Sequence, residues 1–160
     1  MNQPTTIEEY EQRAMELFRN GYNCSQAVLL AFCPELNMER ETAAAIASSF
    51  GGGIGRLREV CGAFSGMAMV AGLKKGYTDP KSREDKARHY QLIQELAERF
   101  RRENGSIVCR ELLSLPPGAD PPVPSERTAE FYKKRPCVEL VGCGARIAAE
   151  VLGFCQKEQE

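Results

Sequence analysis

Cys61-Gly62-Ala63-Phe64-Ser65-Gly66-Met67-Ala68-Met69-Val70-Ala71-Gly72 is the centre of an apolar stretch, 58–75, that is crowded with glycine and alanine. Gly62, Ala63 and Gly66 fall on one face of a helix, and such small residues let a second backbone approach closely. We therefore expect 58–75 to be a helix buried at the centre of a bundle. The stretch 51–55 before it must be a loop, because so many glycines cost a helix too much backbone entropy.

Helical signals continue on both sides of this centre. Thr6-Ile7-Glu8-Glu9 and Asn23-Cys24-Ser25-Gln26 are capping boxes that begin two helices, and we expect Pro34 to stop the second. The remaining predicted helices are 37–50, 80–104, a short one from Ser106, 126–134 and 137–154.

No segment alternates as a half-buried strand does, so we predict an all-α fold. The chain reads as one domain, 1–160, a helical bundle of about five main helices with several short ones. A proline-rich connector at 115–125 cannot be helical, and the termini are expected to be frayed.

The amino-acid composition limits which classes of partner and which cellular location we expect for the protein. The chain has 160 residues, with 21 Lys and Arg against 22 Asp and Glu. A balanced charge leaves no electrostatic footprint for nucleic acid, and no apolar stretch is long enough to span a bilayer. The stretch 1–9 is polar and acidic, unlike a signal peptide. We expect a cytoplasmic protein with no nucleic-acid binding and no membrane insertion. The helix at 58–75 packs either within one chain or across a homodimer, with the homodimer favoured.

Four of the seven cysteines stand where a helix should begin. They are Cys24 after Asn23, Cys61 after the glycine loop, Cys109 after Gly105-Ser106, and Cys137 after Pro136. A helix start carries about half a positive charge, which favours thiolate over thiol. Thiolates bind metals, attack disulfides and accept oxidants, so this pattern indicates a redox or metal-thiolate protein. Cys33, Cys143 and Cys155 lack such a setting, and we interpret them as structural residues.

Cysteine spacing leaves several kinds of site open. No Cys-x-x-Cys pair is present, so any shared site is assembled by folding. Four converging thiolates suit an iron–sulfur cluster or a tetrahedral zinc ion, whereas two close thiols would cycle between dithiol and disulfide. His89, the single histidine, is interpreted as a solvent-facing helix residue. Arg56 and Arg58 lie beside the glycine loop, and we favour their interpretation as surface or ion-pair residues over anion binding.

Four segments together resemble the redox-active protein family named for its Cys-Gly-Ala-x-x-Gly motif. They are Gly21-Tyr22-Asn23-Cys24-Ser25-Gln26-Ala27-Val28, Phe50-Gly51-Gly52-Gly53-Ile54-Gly55-Arg56 leading to Cys61-Gly62-Ala63-Phe64-Ser65-Gly66, Gly105-Ser106-Ile107-Val108-Cys109-Arg110-Glu111-Leu112-Leu113, and Cys137 opening the last helix. The resemblance covers nearly the whole chain. It implies a helical, cytoplasmic bacterial or archaeal protein with a redox role, whose genes often lie near transporter genes.

The resemblance places the family cysteines at Cys24, Cys61, Cys109 and Cys137. Our first hypothesis is that these four bind an iron–sulfur cluster, or zinc or another metal, for electron transfer or redox sensing. A similar domain accompanies haem in a split-Soret type cytochrome with an iron–sulfur centre, but this chain lacks the haem-attachment motif, so only the cluster carries over.

Two alternatives to this metal centre stay open. One is a thiol–disulfide protein with Cys61 as the reactive thiol. The other is a zinc-stapled, non-enzymatic module that binds a partner. The expected partner is a redox protein or a transporter-associated protein.

Overall fold

The computed structural model describes residues 6–154 and shows a helical bundle. Its five helices of 13 or more residues are α1 (Ile7–Arg19), α2 (Cys24–Leu36), α5 (Gly62–Lys75), α6 (Arg83–Asn104) and α9 (Cys137–Leu152). The shorter elements are α3 (Arg40–Ala47), a 3₁₀ turn (Ser48–Phe50), α4 (Gly51–Ile54), α7 (Cys109–Leu112) and α8 (Ala129–Lys134). Within this range the β pairing is limited to one isolated bridge, Val60 to Val108, so the all-α prediction is confirmed. Cys155 and the termini predicted to be frayed lie outside the described residues.

The centre of the bundle is formed by α2, α5 and α9. The pairs α1–α9 and α2–α5 pack most extensively, and α5 also lies against α9 and α6. At one end of the core the rings of Tyr10 and Phe32 stack with centroids 4.5 Å apart, and Phe154 packs against both rings. Both α2 and α9 are apolar on most sides, as helices enclosed by neighbours must be. No helix among residues 6–154 combines the length and apolar character needed to cross a membrane.

The small-residue face predicted for α5 is confirmed by its close crossing with α2. A Cβ added to Gly66 would stand 2.8 Å from the Cβ of Val28 and 3.0 Å from the carbonyl oxygen of Ser25. One turn earlier, a Cβ on Gly62 would stand 3.0 Å from the Cβ of Cys24. Only glycine allows this approach, which brings the first turns of α2 and α5 together.

The predicted start of the central helix at 58 is wrong. The helix begins at Gly62 because the preceding residues are extended and pair with the strand-like segment before α7. The N–H of Cys61 donates to the carbonyl of Ile107 at 2.7 Å, and the N–H of Cys109 donates to that of Glu59 at 2.6 Å. This pairing ties the start of α5 to the start of α7.

Two predicted boundaries near Pro34 are also wrong. Pro34 lies inside α2 and does not stop it, since its carbonyl still accepts a bond that closes the last turn, from the N–H of Asn37 at 3.4 Å. Asn37, predicted to begin the next helix, instead ends α2 in the left-handed conformation (φ 51°), which asparagine tolerates well. The third helix begins only at Arg40.

Other boundaries follow local capping chemistry. α6 begins at Arg83 rather than at 80, because the hydroxyl of Ser82 accepts the N–H of Asp85 and so caps the helix. Gly105 ends α6 as predicted, with φ at 93°. The predicted connector at 115–125 contains no helix.

Candidate functional site

Four cysteines line one small cavity at a point where four helices begin. Cys24, Cys109 and Cys137 are the first residues of α2, α7 and α9, and Cys61 directly precedes α5. The cavity that they share has a volume of about 30 Å³. The helix-start position predicted for all four cysteines is therefore confirmed, and folding brings together residues that are far apart in sequence. We call these four residues the cysteine cluster.

The glycine-rich segment before Arg58 is a left-handed turn that makes room for Cys109. All residues in 52–56 have positive φ, between 55° and 70°. A Cβ on Gly53 would stand only 2.7 Å from the Cβ of Cys109. Ile54 and Arg56 take the same conformation although they carry side chains, which costs about 1–3 kcal/mol for each residue. The short element α4 is therefore not a regular helix, since Gly52 and Gly53 within it are left-handed. The loop expected at 51–55 is a strained turn that supports the cysteine cluster.

Arg58 is buried beside the cysteine cluster, with an exposed fraction of only 4%. Its Nη1 donates to the sulfur of Cys109 at 3.5 Å, and its Nε donates to a carboxylate oxygen of Asp120 at 2.8 Å. Arg56 also approaches Asp120, at 3.8 Å, and donates to the carbonyl of Pro121 at 2.7 Å. The ion-pair interpretation of both arginines is confirmed. No local pattern in the sequence indicates that this pairing would hold Arg58 against a thiol.

Two further arginines, which sequence reasoning missed, come from the region between the connector and α9. The guanidinium of Arg127 donates to the carbonyl of Phe18 at 2.7 Å and lies 4.0 Å from the centre of its ring. Arg135 lies two residues before α9 starts. Both line a larger cavity of about 410 Å³, together with Arg56 and Arg58. Cys24 and Cys137 line both cavities, so the two spaces adjoin at this pair.

Cys24 and Cys137 form a hydrogen-bonded pair of thiols whose pKa values shift in opposite directions. The bond from Cys24 lowers the pKa of Cys137, and the positive charges of Arg135 and Arg127 lower it further, against the opposing effect of burial. The same bond, followed by burial, raises the pKa of Cys24 well above its usual value. Of the two thiols, Cys137 therefore ionises the more readily, and Cys24 keeps its proton longer as pH rises.

The other two thiols of the cluster resist ionisation. Burial raises the pKa of Cys61 to about 12, although the backbone N–H groups of Phe64 and Ala63 oppose the shift. Burial also raises the pKa of Cys109, with Arg58 acting in the opposite direction. Desolvation thus outweighs the helix-start charge at both positions. The assignment of Cys61 as the reactive thiol stays a prediction, and the electrostatics favour Cys137 for that role.

The four sulfurs of the cysteine cluster are the right kind of ligand for a metal centre. Their present spacing, however, is not that of a metal site. Thiolates are the usual ligands of structural zinc and of iron–sulfur clusters, and the neighbouring arginines would offset the negative charge of four thiolates. Among residues 6–154, however, no group of three or more His, Cys, Asp or Glu side chains has the arrangement of a metal site. The ligand set Cys24, Cys61, Cys109 and Cys137 therefore stays a prediction.

Residues outside the cluster have other surroundings. Cys33 is buried within α2, and Cys143 on α9 donates its S–H to Glu103 on α6 at 2.8 Å. Burial raises the pKa of Cys143 to about 11. Both placements agree with a structural interpretation. His89 is half-buried, with its ring edge-on to Tyr77 at 6.0 Å, so it faces solvent only in part.

Comparison with known proteins is informative at the level of the family. Over residues 22–151 the chain matches the family model described as "Putative redox-active protein (C_GCAxxG_C_C)". No curated protein and no solved structure matches the chain. The matched range contains all four residues of the cysteine cluster and extends over more than half of the chain. The chain therefore belongs to the C_GCAxxG_C_C family.

Proposed function

We propose that the protein is a redox protein in which the cysteine cluster binds an iron–sulfur cluster for electron transfer or redox sensing. The observation that carries this proposal is the convergence of four thiols, from four helix starts, on one small cavity. Disulfide chemistry needs only two thiols and leaves Cys61 and Cys109 without a role. Metal binding, in contrast, gives each of the four thiols a role as a ligand.

Electrostatics within the cysteine cluster support a bound cation. Burial is the main cause of the raised pKa of Cys61 and of Cys109, and the hydrogen bond to Cys137 is the main cause at Cys24. Charge on Cys137 adds to the rise at all three thiols. A metal centre reverses this effect, because its positive charge stabilises thiolates that would otherwise repel one another. An iron–sulfur cluster, when bound, supplies a one-electron carrier. The N–H of Arg58 that points at the sulfur of Cys109 is then a group that adjusts the reduction potential.

The cellular setting remains the one expected from the sequence. We infer that the protein works in the cytoplasm and exchanges electrons with a redox protein or a transporter-associated protein. The supporting facts are the family membership and the thiols, which a reducing compartment keeps free. The predicted homodimer also stays a prediction.

Anaerobic purification with elemental analysis tests the proposal. We expect brown protein that contains iron and sulfide. Replacing any residue of the cysteine cluster by serine should abolish the visible absorption. Cys33→Ser and Cys143→Ser are matched controls that should retain it, since both cysteines lie outside the cavity. Colourless, iron-free wild-type protein would refute the iron–sulfur proposal. Stoichiometric zinc in that protein would indicate the zinc-stapled module instead.

The hydrogen bond between Cys24 and Cys137 favours a second candidate function, thiol–disulfide exchange. The thiolate of Cys137 attacks one sulfur of a disulfide R–S–S–R, forms a mixed disulfide and releases RS⁻. Cys24 then gives its proton to the released thiolate and attacks the sulfur of Cys137, which expels the second RS⁻. The two cysteines are oxidised to a disulfide and the substrate is reduced to two thiols.

Thiol counting distinguishes this candidate from a metal centre. Metal-free protein should lose two titratable thiols on mild oxidation, and peptide mapping should show a disulfide between Cys24 and Cys137. Cys24→Ser should stop the reaction at the mixed disulfide on Cys137. A disulfide that instead joined Cys61 to Cys109 would contradict this assignment.

A further inference from the structure

The cavity of about 410 Å³ beside the cysteine cluster has an unusually cationic wall. Arg56, Arg58, Arg127 and Arg135 line it, and its lining within the described part of the chain includes no Asp or Glu. Four guanidinium groups around one partly enclosed space repel one another, and the repulsion grows as the surroundings exclude water. This arrangement is unfavourable unless negative charge enters the cavity.

Among residues 6–154, the negative charges in contact with these arginines are too few to balance them. Asp120 pairs with both Arg58 and Arg56, and it is the carboxylate that contacts this group. Arg127 is held by two neutral carbonyls, those of Phe18 and Tyr22, so its charge is not neutralised there.

Arg135 is the most available of the four arginines. It is half-buried, and its guanidinium carbon lies 5.9 Å from the centroid of the Phe131 ring. No ion pair joins it to a carboxylate among residues 6–154.

The rest of the lining is suited to the carbon skeleton of an organic molecule. Phe18, Phe131, Pro122 and Pro124 form apolar parts of the wall, and the hydroxyl of Ser125 is held beside Arg56. The volume lies within the range of small-molecule sites, roughly 300–1,000 Å³. Guanidinium groups present paired N–H donors that match carboxylate and phosphate oxygens.

We propose that this cavity binds a small organic anion bearing carboxylate or phosphate groups, directly beside Cys24 and Cys137. The site goes beyond the proposed redox function and does not depend on whether the cysteine cluster holds a metal.

Isothermal titration of the full chain, purified anaerobically, tests the proposal with citrate and with pyrophosphate as probes. Ionic strength is held constant with sodium chloride, because screening would otherwise imitate competition. Binding of citrate alone identifies a carboxylate ligand, and binding of pyrophosphate alone identifies a phosphate ligand. Binding of both supports a site for either anion. If neither probe binds, the proposal is overturned and the arginines serve only the thiolates.

Variants place the binding in the cavity. Arg135→Gln should lower the affinity for the probe by about tenfold or more, since a hydrogen bond to a charged group is lost. Arg135→Lys keeps the charge without the planar fork and should recover part of the affinity. Arg102→Gln removes an exposed charge on α6 and should leave the affinity unchanged. The proposal would be overturned if Arg135→Gln and Arg102→Gln weakened probe binding equally, or if neither variant weakened it. Circular dichroism checks that each variant is folded.

Discussion

Gly66→Ala should destabilise the protein, whereas Gly72→Ala on the same helix should stabilise it. A Cβ on Gly66 would meet the Cβ of Val28 at 2.8 Å and the carbonyl oxygen of Ser25 at 3.0 Å. These atoms belong to the backbone and to the base of a side chain, so neither can rotate away. At Gly72, which is exposed in the last turn of α5, an added Cβ would have no neighbouring atom within 4 Å.

The magnitudes follow from two opposing effects. Both substitutions gain the difference in helix propensity between alanine and glycine, about 1 kcal/mol. Overpacking between α2 and α5 costs about 1–3 kcal/mol at Gly66 and nothing at Gly72. The net effect at Gly66 ranges from near zero to about 2 kcal/mol of destabilisation. Because the propensity gain is common to both variants, the difference between them measures the overpacking alone.

Urea unfolding followed by circular dichroism measures this difference under reducing conditions and at equal metal content. The transition midpoint should fall for Gly66→Ala and rise for Gly72→Ala, with the slope unchanged in both. Equal stabilisation by the two substitutions would show that the helices do not cross closely at Gly66. It would also remove the structural reason for placing the first turn of α5 against Cys24.

Two further predictions concern the thiols and the buried arginine. In reduced, metal-free protein Cys137 should react with iodoacetamide at a lower pH than an ordinary cysteine, because its lowered pKa yields thiolate earlier as pH rises. Cys24→Ala should move that midpoint upward, and Cys61 should stay unreactive until the pH approaches about 12. Mass spectrometry of each peptide measures all three, and equal midpoints for Cys137 and Cys61 would contradict the assignment. Asp120→Ala should lower the unfolding free energy by about 2 kcal/mol, because Arg58 stays buried without a carboxylate, and Asp120→Asn should lower it less. Urea midpoints that do not change in either variant would disprove this role of Asp120.

The parts of the site that depend on local chemistry were predictable from the sequence. Asn23 and Gln26 form a reciprocal capping box in the structure, and this places Cys24 at the first position of α2. Pro136 directly precedes Cys137 at the start of α9, without a side-chain capping bond. Each signal lies within four residues of the cysteine that it positions. Hydrogen bonds at a helix end need no information from the rest of the chain.

The parts that depend on distant partners were not predictable. The apolar pattern around Val60 continues smoothly into α5, so nothing local shows that Cys61 is extended and pairs with Ile107. Arg58 is buried only because Asp120, in the connector, reaches it. The thiol pKa values also depend on burial by distant parts of the chain. The helix-start argument therefore predicts correctly where Cys61 lies, but it does not predict the raised pKa of its thiol.

The two cavities give Cys24 and Cys137 a position that Cys61 and Cys109 do not have. The first pair lines both spaces, whereas the second pair lines only the inner one. A molecule in the larger cavity therefore lies beside Cys24 and Cys137 and not beside Cys61 or Cys109. An anion bound beside Arg135 would oppose the charge that lowers the pKa of Cys137, and the thiolate would become less stable. In a metal-bound cluster the same negative charge would disfavour the reduced, more anionic state. With or without a metal, the chemistry of the cysteine cluster is then coupled through Arg135 to the charge of the molecule in the cavity.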